Sequence, residues 1–241
     1  MNLPVLEIFG PTIQGEGAVI GKKTVFIRTA GCDYECAWCD SAFTWDGTGK
    51  DDIKLMTTAE IVDELKKIGF GNFKHVTISG GNPALLKQLS ELIDTLKNLG
   101  FKVGLETQGS VWQEWMLAID DLTISPKPPS SKMETDFSRL NVILERLTKR
   151  INFGHVSLKV VIFDENDLQY AKEVHKQFPD VPFYLQVGND DLVTECSEQL
   201  ALQLLRKFEW LTNKVISDPC LNEVRVLPQL HALIWGNKKG V

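Results

Sequence analysis

An α/β fold with a mainly parallel sheet, arranged as a partial (β/α)6-type TIM barrel, is what the sequence predicts, on three observations. Short apolar runs alternate with amphipathic segments of helical period almost to the end of the chain, which is the pattern of successive βαβ units. About six such units fit, too few for a closed eightfold barrel. No internal repeat, low-complexity tract or linker breaks the alternation. Residues 1–241 are therefore expected to form a single domain, long enough to bury one substantial core.

The expected strands are, in order, TVFIRT (24–29), HVTIS (75–79), KVGLET (102–107), DLTIS (121–125), HVSLKVVIF (155–163), PFYLQV (182–187) and EVRVL (223–227). Four apolar stripes at helical spacing lie between or after them. Thr57 and Glu60 form a capping-box signature ahead of Ile61, Val62, Leu65 and Ile68,. Leu85, Leu86, Leu89, Leu92, Ile93, Leu96 and Leu99 follow, with Gly100 placed to end the helix,. Leu168, Ala171, Val174 and Phe178 make a third stripe; Leu200, Ala201, Leu204, Leu205, Phe208 and Leu211 make a fourth. The stretch SPKPPSSKMETDFS (125–138), with three prolines and four serines, predicts a long loop,. Chemistry in such folds collects at the carboxyl ends of the strands. The segments expected there are AGCDYECAWCDS, GGNP, QGS, PKPPS, GND and PQLH.

Composition narrows the function. Hydrophobic residues make up 43% and charged residues 24%, an ordinary globular balance,. A formal charge of −6 offers no general attraction to nucleic acid or to an anionic membrane, despite the local pairs Lys22/Lys23 and Lys238/Lys239,. A small-molecule substrate is the expectation. The amino terminus has no basic segment leading into an apolar one, and no apolar run approaches about 18 residues, so a cytoplasmic location is expected. Five cysteines, three of them within eight positions, do not read as a disulfide framework,. Cys196 and Cys220 are expected to be ordinary buried or helix-end thiols.

Cys32, Cys36 and Cys39 are spaced CxxxCxxC in the loop after the first predicted strand. Two chemistries suit three thiolates. A zinc site would need a fourth ligand, for which His75, His155, His175 and His231 are available, although none sits in a paired-ligand spacing,. A four-iron cubane held by three thiolates would leave one iron open to an outside ligand, such as the nitrogen and carboxylate of an amino acid.

CxxxCxxC with Trp38 directly before the last cysteine, followed by SGGNP after the second predicted strand, resembles the radical S-adenosylmethionine superfamily. The resemblance implies a 4Fe-4S cluster on Cys32, Cys36 and Cys39, with the methionine end of S-adenosylmethionine chelating the open iron. Reductive cleavage of that cofactor would then give a 5′-deoxyadenosyl radical that abstracts a substrate hydrogen. SGGNP stands where the superfamily carries a GGE-type motif for the cofactor's amino group. Asn82 replaces the usual Glu, which implies a weaker, uncharged contact. Gly80 and Gly81 suit a backbone that approaches a ligand closely.

IFGPTIQGEG, FIRTAGCDYECAWCDS, ISPKPPS, LQV and PQLHALIWGNKKGV together resemble, within that superfamily, the lyases of deazapurine biosynthesis. The implied reaction converts 6-carboxy-5,6,7,8-tetrahydropterin to 7-carboxy-7-deazaguanine with loss of ammonia. Implied with it are magnesium dependence, a homodimer, and an electron donor of the flavodoxin or ferredoxin type. Ile13, Gln14 and Gly15 match the substrate loop, Ser79 and His231 are substrate contacts, and Arg28 is suited to grip the substrate carboxylate. Ser41 would offer its hydroxyl to magnesium, with Asp40 orienting the metal's waters or capping a helix. Arg28, Ser41 and His231 are thus the residues expected nearest the chemistry. Gly81, Asn82, Glu106, Ser125, Pro126, Lys127 and Gln186 are expected at the cofactor. Two alternatives stay open: an activase for a glycyl-radical protein, and a zinc-stabilised binding module without turnover.

Overall fold

The computed structural model describes residues 2–148 and 155–241. The elements are β1 (Leu3–Ile13), β2 (Lys23–Thr29), β3 (Lys54–Met56), α1 (Thr58–Ile68), β4 (His75–Gly80), α2 (Leu89–Asn98), β5 (Lys102–Thr107) and β6 (Asp121–Ile124). Then come α3 (Phe137–Leu147), β7 (Val156–Ile162), α4 (Glu165–Gln177), β8 (Phe183–Val187), α5 (Ser197–Ile216), β9 (Arg225–Leu227) and α6 (Leu230–Trp235).

Among the described residues these strands form one nine-stranded sheet, ordered β3-β1-β2-β4-β5-β6-β7-β8-β9. From β2 to β9 every pairing is parallel. β1 is antiparallel to both β2 and β3. The order is linear, with β3 and β9 at its ends, so the barrel is partial and open as expected. All seven expected strands occur in it.

Local chemistry explains the helices. Thr57 accepts from the Glu60 amide, and the Glu60 carboxylate accepts from the Thr57 amide at 2.7 Å, so the box caps α1. Gly100 adopts φ +82° just past α2, a left-handed turn that glycine makes at no steric cost,. Leu89, Leu92, Ile93 and Leu96 are each 0% exposed against the sheet, and burial of such a side chain is worth roughly 1.5–3 kcal/mol.

Four elements were not expected, the short β3 and α6 and, more tellingly, β1 and α3. β1 carries Pro4, Gly10 and Pro11, and its pairing with β2 slips between Val5 and Glu7 and between Phe9 and Thr12. Those breakers and slips erase the two-residue alternation that marks a strand. α3 begins inside the stretch expected to be a loop. Asp136 accepts from the Arg139 amide to cap it, and Leu140, Ile143, Leu144 and Leu147 are its buried stripe.

The sheet has two unlike faces because side chains alternate along each strand. Val25, Ile27, Val76, Ile78, Val103, Leu105, Leu122, Ile124, Leu158, Val160 and Leu185 belong to the apolar core shared with the helices. The opposite, concave face carries Thr24 and Arg28 of β2, Thr77 and Ser79 of β4, Glu106 of β5, Thr123 of β6, Lys159 of β7 and Gln186 of β8. Parallel registers such as Arg28 with Ser79, Glu106 with Thr123 and Val161 with Gln186 align these positions across the sheet. The polar face holds the site.

Candidate active site

A cavity of about 300 Å³ opens at the carboxyl ends of the parallel strands, and Cys32, Cys36 and Cys39 all border it. The cysteine loop is fixed from two sides. On one, Gly81 donates its amide to the Thr29 carbonyl at 3.2 Å, and Asn82 donates to the Gly31 carbonyl at 2.8 Å. A Cβ at Gly80 would lie 2.1 Å from the Thr29 oxygen, and one at Gly81 2.2 Å from the Gly31 oxygen and 3.0 Å from Cys32 Cβ. The glycine pair is required by this approach of chain to chain, while Gly80 and Gly81 also border the cavity.

From the other side the segment after β6 straps the loop. Tyr34 Oη donates to the Glu134 carbonyl at 2.8 Å, the Ala37 amide to the Ser131 carbonyl at 3.0 Å, and Trp38 Nε1 to Ser130 Oγ at 2.9 Å. Asp167, fully buried on α4, anchors the strap by accepting from the Ser130 amide at 3.0 Å.

The thiols suit an iron cluster better than a zinc ion. Three thiolates on one tetrahedral zinc would sit about 3.8 Å apart. Among the described residues, the only three or more His, Cys, Asp or Glu with ligand atoms all within 4.8 Å of one another are Glu16, Asp40 and His231. The three sulfurs are thus spread more widely than zinc requires, and no histidine completes them. Burial pushes all three thiols above their ordinary range, Cys36 to about 11. A cationic centre is what would draw them to thiolate. The Lys127 ammonium stands 5.9 Å from the Trp38 ring centre, within the same cavity wall. Burial holds its proton affinity below the usual lysine range.

Deeper in, the cavity floor is charged. Lys159 of β7 pairs with Glu16, with side chains 7% and 16% exposed. Burial alone would raise the Glu16 carboxyl; the ammonium overrides it and holds the group well below the carboxylate range. Glu106 goes the other way, pushed up chiefly by burial. Gln14 donates to Glu106 at 3.2 Å, while its oxygen accepts from the Glu16 amide, and Gln229 donates to Glu16 at 3.0 Å. Gly15 has no room for a side chain, since a Cβ there would lie 2.2 Å from His231 Nδ1.

At the rim, Arg28 is held by Glu7, its Nε donating at 2.6 Å, and by Ser41, which accepts from Nη1 at 3.0 Å. Phe9 and Phe43 flank its guanidinium at 5.4 and 5.5 Å. Ser41 Oγ in turn donates to Asp40 at 3.0 Å. Asp40 caps no helix: it joins Glu16 and His231 in the group whose ligand atoms lie within 4.8 Å.

Most residues expected in the site border this one cavity: Ile13, Gln14, Gly15, Arg28, Ser41, Ser79, Gly81, Glu106, Ser125, Lys127 and His231 join the cysteines. Three do not. Asn82 is fully buried beneath the glycine turn, donating to Asp33 at 2.8 Å and Ser110 at 3.0 Å and accepting from Thr107 at 2.8 Å and the Ala84 amide at 3.2 Å. Its four bonds leave nothing for a ligand. Pro126 is buried behind Ser125 and Lys127. Gln186 faces the same side as Val161, which borders the cavity, but lies below the floor with neither amide atom bonded. Cys196 and Cys220 are exposed, not buried; Cys196 precedes the first turn of α5 and Cys220 sits in a short turn.

Glu16, Lys159 and residues 236–241 border the cavity without having been expected there, while Gln108 and Gln229 come from QGS and PQLH, two of the segments expected at this end. Lys159 had a readable signal, a lone charge inside the apolar run HVSLKVVIF, as Arg28 has in its own strand.

Residues 26–126 match the Radical SAM superfamily. Across 240 residues the chain is 63% identical to the 7-carboxy-7-deazaguanine synthase of Bacillus subtilis, covering 100% of this chain and 99% of that protein. It is 60% identical over 240 residues to the 7-carboxy-7-deazaguanine synthase of Bacillus cereus, with the same coverage. The chain belongs to the 7-carboxy-7-deazaguanine synthase family. The crystal structure of QueE from Escherichia coli shares the fold at TM-score 0.69 and 21% identity, covering 96% of this chain and 95% of that one. Membership of the 7-carboxy-7-deazaguanine synthase family, within the radical S-adenosylmethionine superfamily, brings a 4Fe-4S cluster and S-adenosylmethionine, and the spread of the three half-buried thiols fits that cluster.

Proposed function

We propose that the chain is a lyase that converts 6-carboxy-5,6,7,8-tetrahydropterin to 7-carboxy-7-deazaguanine with release of ammonia, working as one domain. The observation that carries this reading is the meeting of three thiols, the Arg28 guanidinium and the Gln14–Glu106 pair around one small cavity in a full-length relative of such synthases. S-adenosylmethionine bound at the cluster would supply hydrogen-atom abstraction, which needs one electron from a flavodoxin- or ferredoxin-type donor. The protein's own residues bind and orient. Arg28 offers its remaining guanidinium edge to the substrate carboxylate. Gln14 and Glu106 present amide and carboxyl groups to a pterin edge, with Ile13, Gly15, Ser79 and His231 closing around it. Ser125 and Lys127 face the cofactor, with Gln186 below them holding an unbonded amide.

Magnesium belongs to this proposal. Ser41 bonded to Asp40, beside the Glu16–Asp40–His231 group, supports this: Ser41 would hold the cation, which would supply charge stabilisation to the substrate carboxylate,. A homodimer in the cytoplasm completes the reading.

The test is anaerobic reconstitution, iron and sulfide analysis, and incubation with S-adenosylmethionine, reductant and the carboxytetrahydropterin, followed by mass spectrometry. Deazapurine with loss of ammonia is expected. Cofactor cleavage without that product would remove the substrate assignment, and zinc without iron would remove the enzyme.

A further inference from the structure

Release of ammonia is acid–base chemistry, and among the described residues the carboxyl groups bordering the cavity are Glu16, Asp40 and Glu106. Two of them are committed elsewhere. Glu16 accepts from Lys159 on one oxygen and from Gln229 on the other, which holds it as a carboxylate. Asp40 is exposed at the rim and accepts from Ser41. Glu106 is half-buried on the floor, and its Oε1 accepts from Gln14 Nε2 at 3.2 Å. Among the described residues no cation forms an ion pair with it and no donor reaches its Oε2. An amide donating to one oxygen leaves the other free to be the hydroxyl of a neutral carboxyl. Burial, outweighing the Lys159 charge, favours that neutral form, while Lys159 keeps Glu16 ionised. Two carboxyl groups pushed in opposite directions on one floor divide into a proton carrier and a fixed charge.

Strand register gives Glu106 its place relative to the substrate. Arg28 pairs with Ser79 across β2 and β4, and the β4–β5 register that pairs Ile78 with Leu105 sets Ser79 beside Glu106. Arg28, Ser79 and Glu106 thus stand in one row on the concave face, with two strand spacings, about 10 Å, between Arg28 and Glu106. A substrate whose carboxylate meets Arg28 lays the neighbouring ring atoms along that row. Those are the atoms at which carboxytetrahydropterin and deazapurine differ: the ring nitrogen on the carbon bearing the carboxylate departs, and the next ring carbon gives up a proton. We propose that Glu106 is the catalytic acid for ammonia release. Its Oε2 proton passes to the departing nitrogen as the carbon–nitrogen bond breaks and leaves its electron pair there. The carboxylate so formed takes the proton of the adjacent ring carbon as the new double bond forms, which restores the carboxyl with no net gain or loss of electrons. The assignment rests on the carboxytetrahydropterin reading of the cavity.

The test is a single turnover of cluster-reconstituted protein with S-adenosylmethionine, reductant and carboxytetrahydropterin deuterated on the carbon that bears the carboxylate. Deuterium reaching the cofactor's 5′ carbon reads hydrogen abstraction, while ammonia and deazapurine read the release step. Glu106→Gln keeps the shape of the side chain and an oxygen for Gln14, and removes the acidic proton. It should retain the parent's iron content and deuterium transfer, while release slows about a hundredfold or more, the scale of general acid catalysis. The parent's release rate should fall as pH rises and strips the Oε2 proton. That limb should be missing in Glu106→Gln, whereas Glu106→Asp, which keeps a carboxyl, should recover part of the rate together with the limb. Release within tenfold of the parent in Glu106→Gln overturns the proposal. So does deuterium transfer or iron content falling in step with release, which would make Glu106 a binding or structural group, or an Asp variant no faster than the Gln variant. A parent that transfers deuterium yet yields no deazapurine defeats the function reading, and the role of Glu106 with it, before any variant is made.

Discussion

Among the described residues Lys159 is the one cation in the paired charges of the cavity floor, and its removal would leave Glu16 and Glu106 on the same face without it. Breaking a buried pair costs roughly 3–5 kcal/mol because the surviving charge has no partner. Lys159→Met should therefore lose stability of that order at pH 7. Glu16 has a depressed carboxyl, so the parent's gain from it is present above the unfolded value of about 4.3 and is lost as pH falls,. The gap between parent and variant should narrow as pH falls below about 4 in urea unfolding; a constant gap would place the loss in packing. Cys36→Ala should abolish iron loading while leaving the far-ultraviolet circular dichroism and unfolding midpoint of the metal-free chain nearly unchanged, because backbone and strap bonds hold the loop. Retention of both cluster and iron stoichiometry would show that Cys36 is not a ligand. At this scale the cysteines, Arg28 and the glycine pair were legible because a charge or thiol in an apolar context is conspicuous. Asn82 misled: its neighbours in sequence identify the motif, but only its neighbours in space, Asp33 and Thr107, reveal that it faces away from the ligand.

Among the elements, α1 offers the cleanest energetic handle. Thr57→Ala deletes the hydroxyl that accepts from the Glu60 amide, and such caps are worth about 1 kcal/mol. A fall of roughly 2–4 °C in the melting temperature is expected for a chain of this size, measured by scanning calorimetry. The parallel strands and four helical stripes could be read from the sequence because hydrophobic period survives wherever an element buries one continuous face. β1 hid itself behind Pro4, Gly10 and Pro11 and two register slips. α3 was overshadowed by the prolines just before it, although the spacing of Leu140, Ile143, Leu144 and Leu147 is plainly helical. The strap and the helix share one stretch of chain, and composition reported only the strap.

Across the whole molecule, the amino ends of the strands are closed by Asp121, on which Lys22, His75 and His155 converge at 2.8, 3.2 and 3.2 Å. Burial alone would raise this carboxyl; the close contacts with His75, Lys22 and His155 hold it well below its usual range. Its contribution is present above about pH 3.9 and is lost as pH falls through the depressed value. Asp121→Asn should be less stable than the parent at neutral pH and show a flatter decline below pH 4, read from acid unfolding curves; parallel curves would refute the assignment. The opposite end of the barrel has a different consequence. The glycine pair and the strap give the cysteine loop hydrogen bonds of the protein's own, so much of the conformational entropy of gathering the thiols is lost during folding and not at cluster insertion,. Unlike a zinc finger, which collapses when stripped, this chain would persist as a preorganised receptacle, and a cluster delivered by a donor would meet a mould already set.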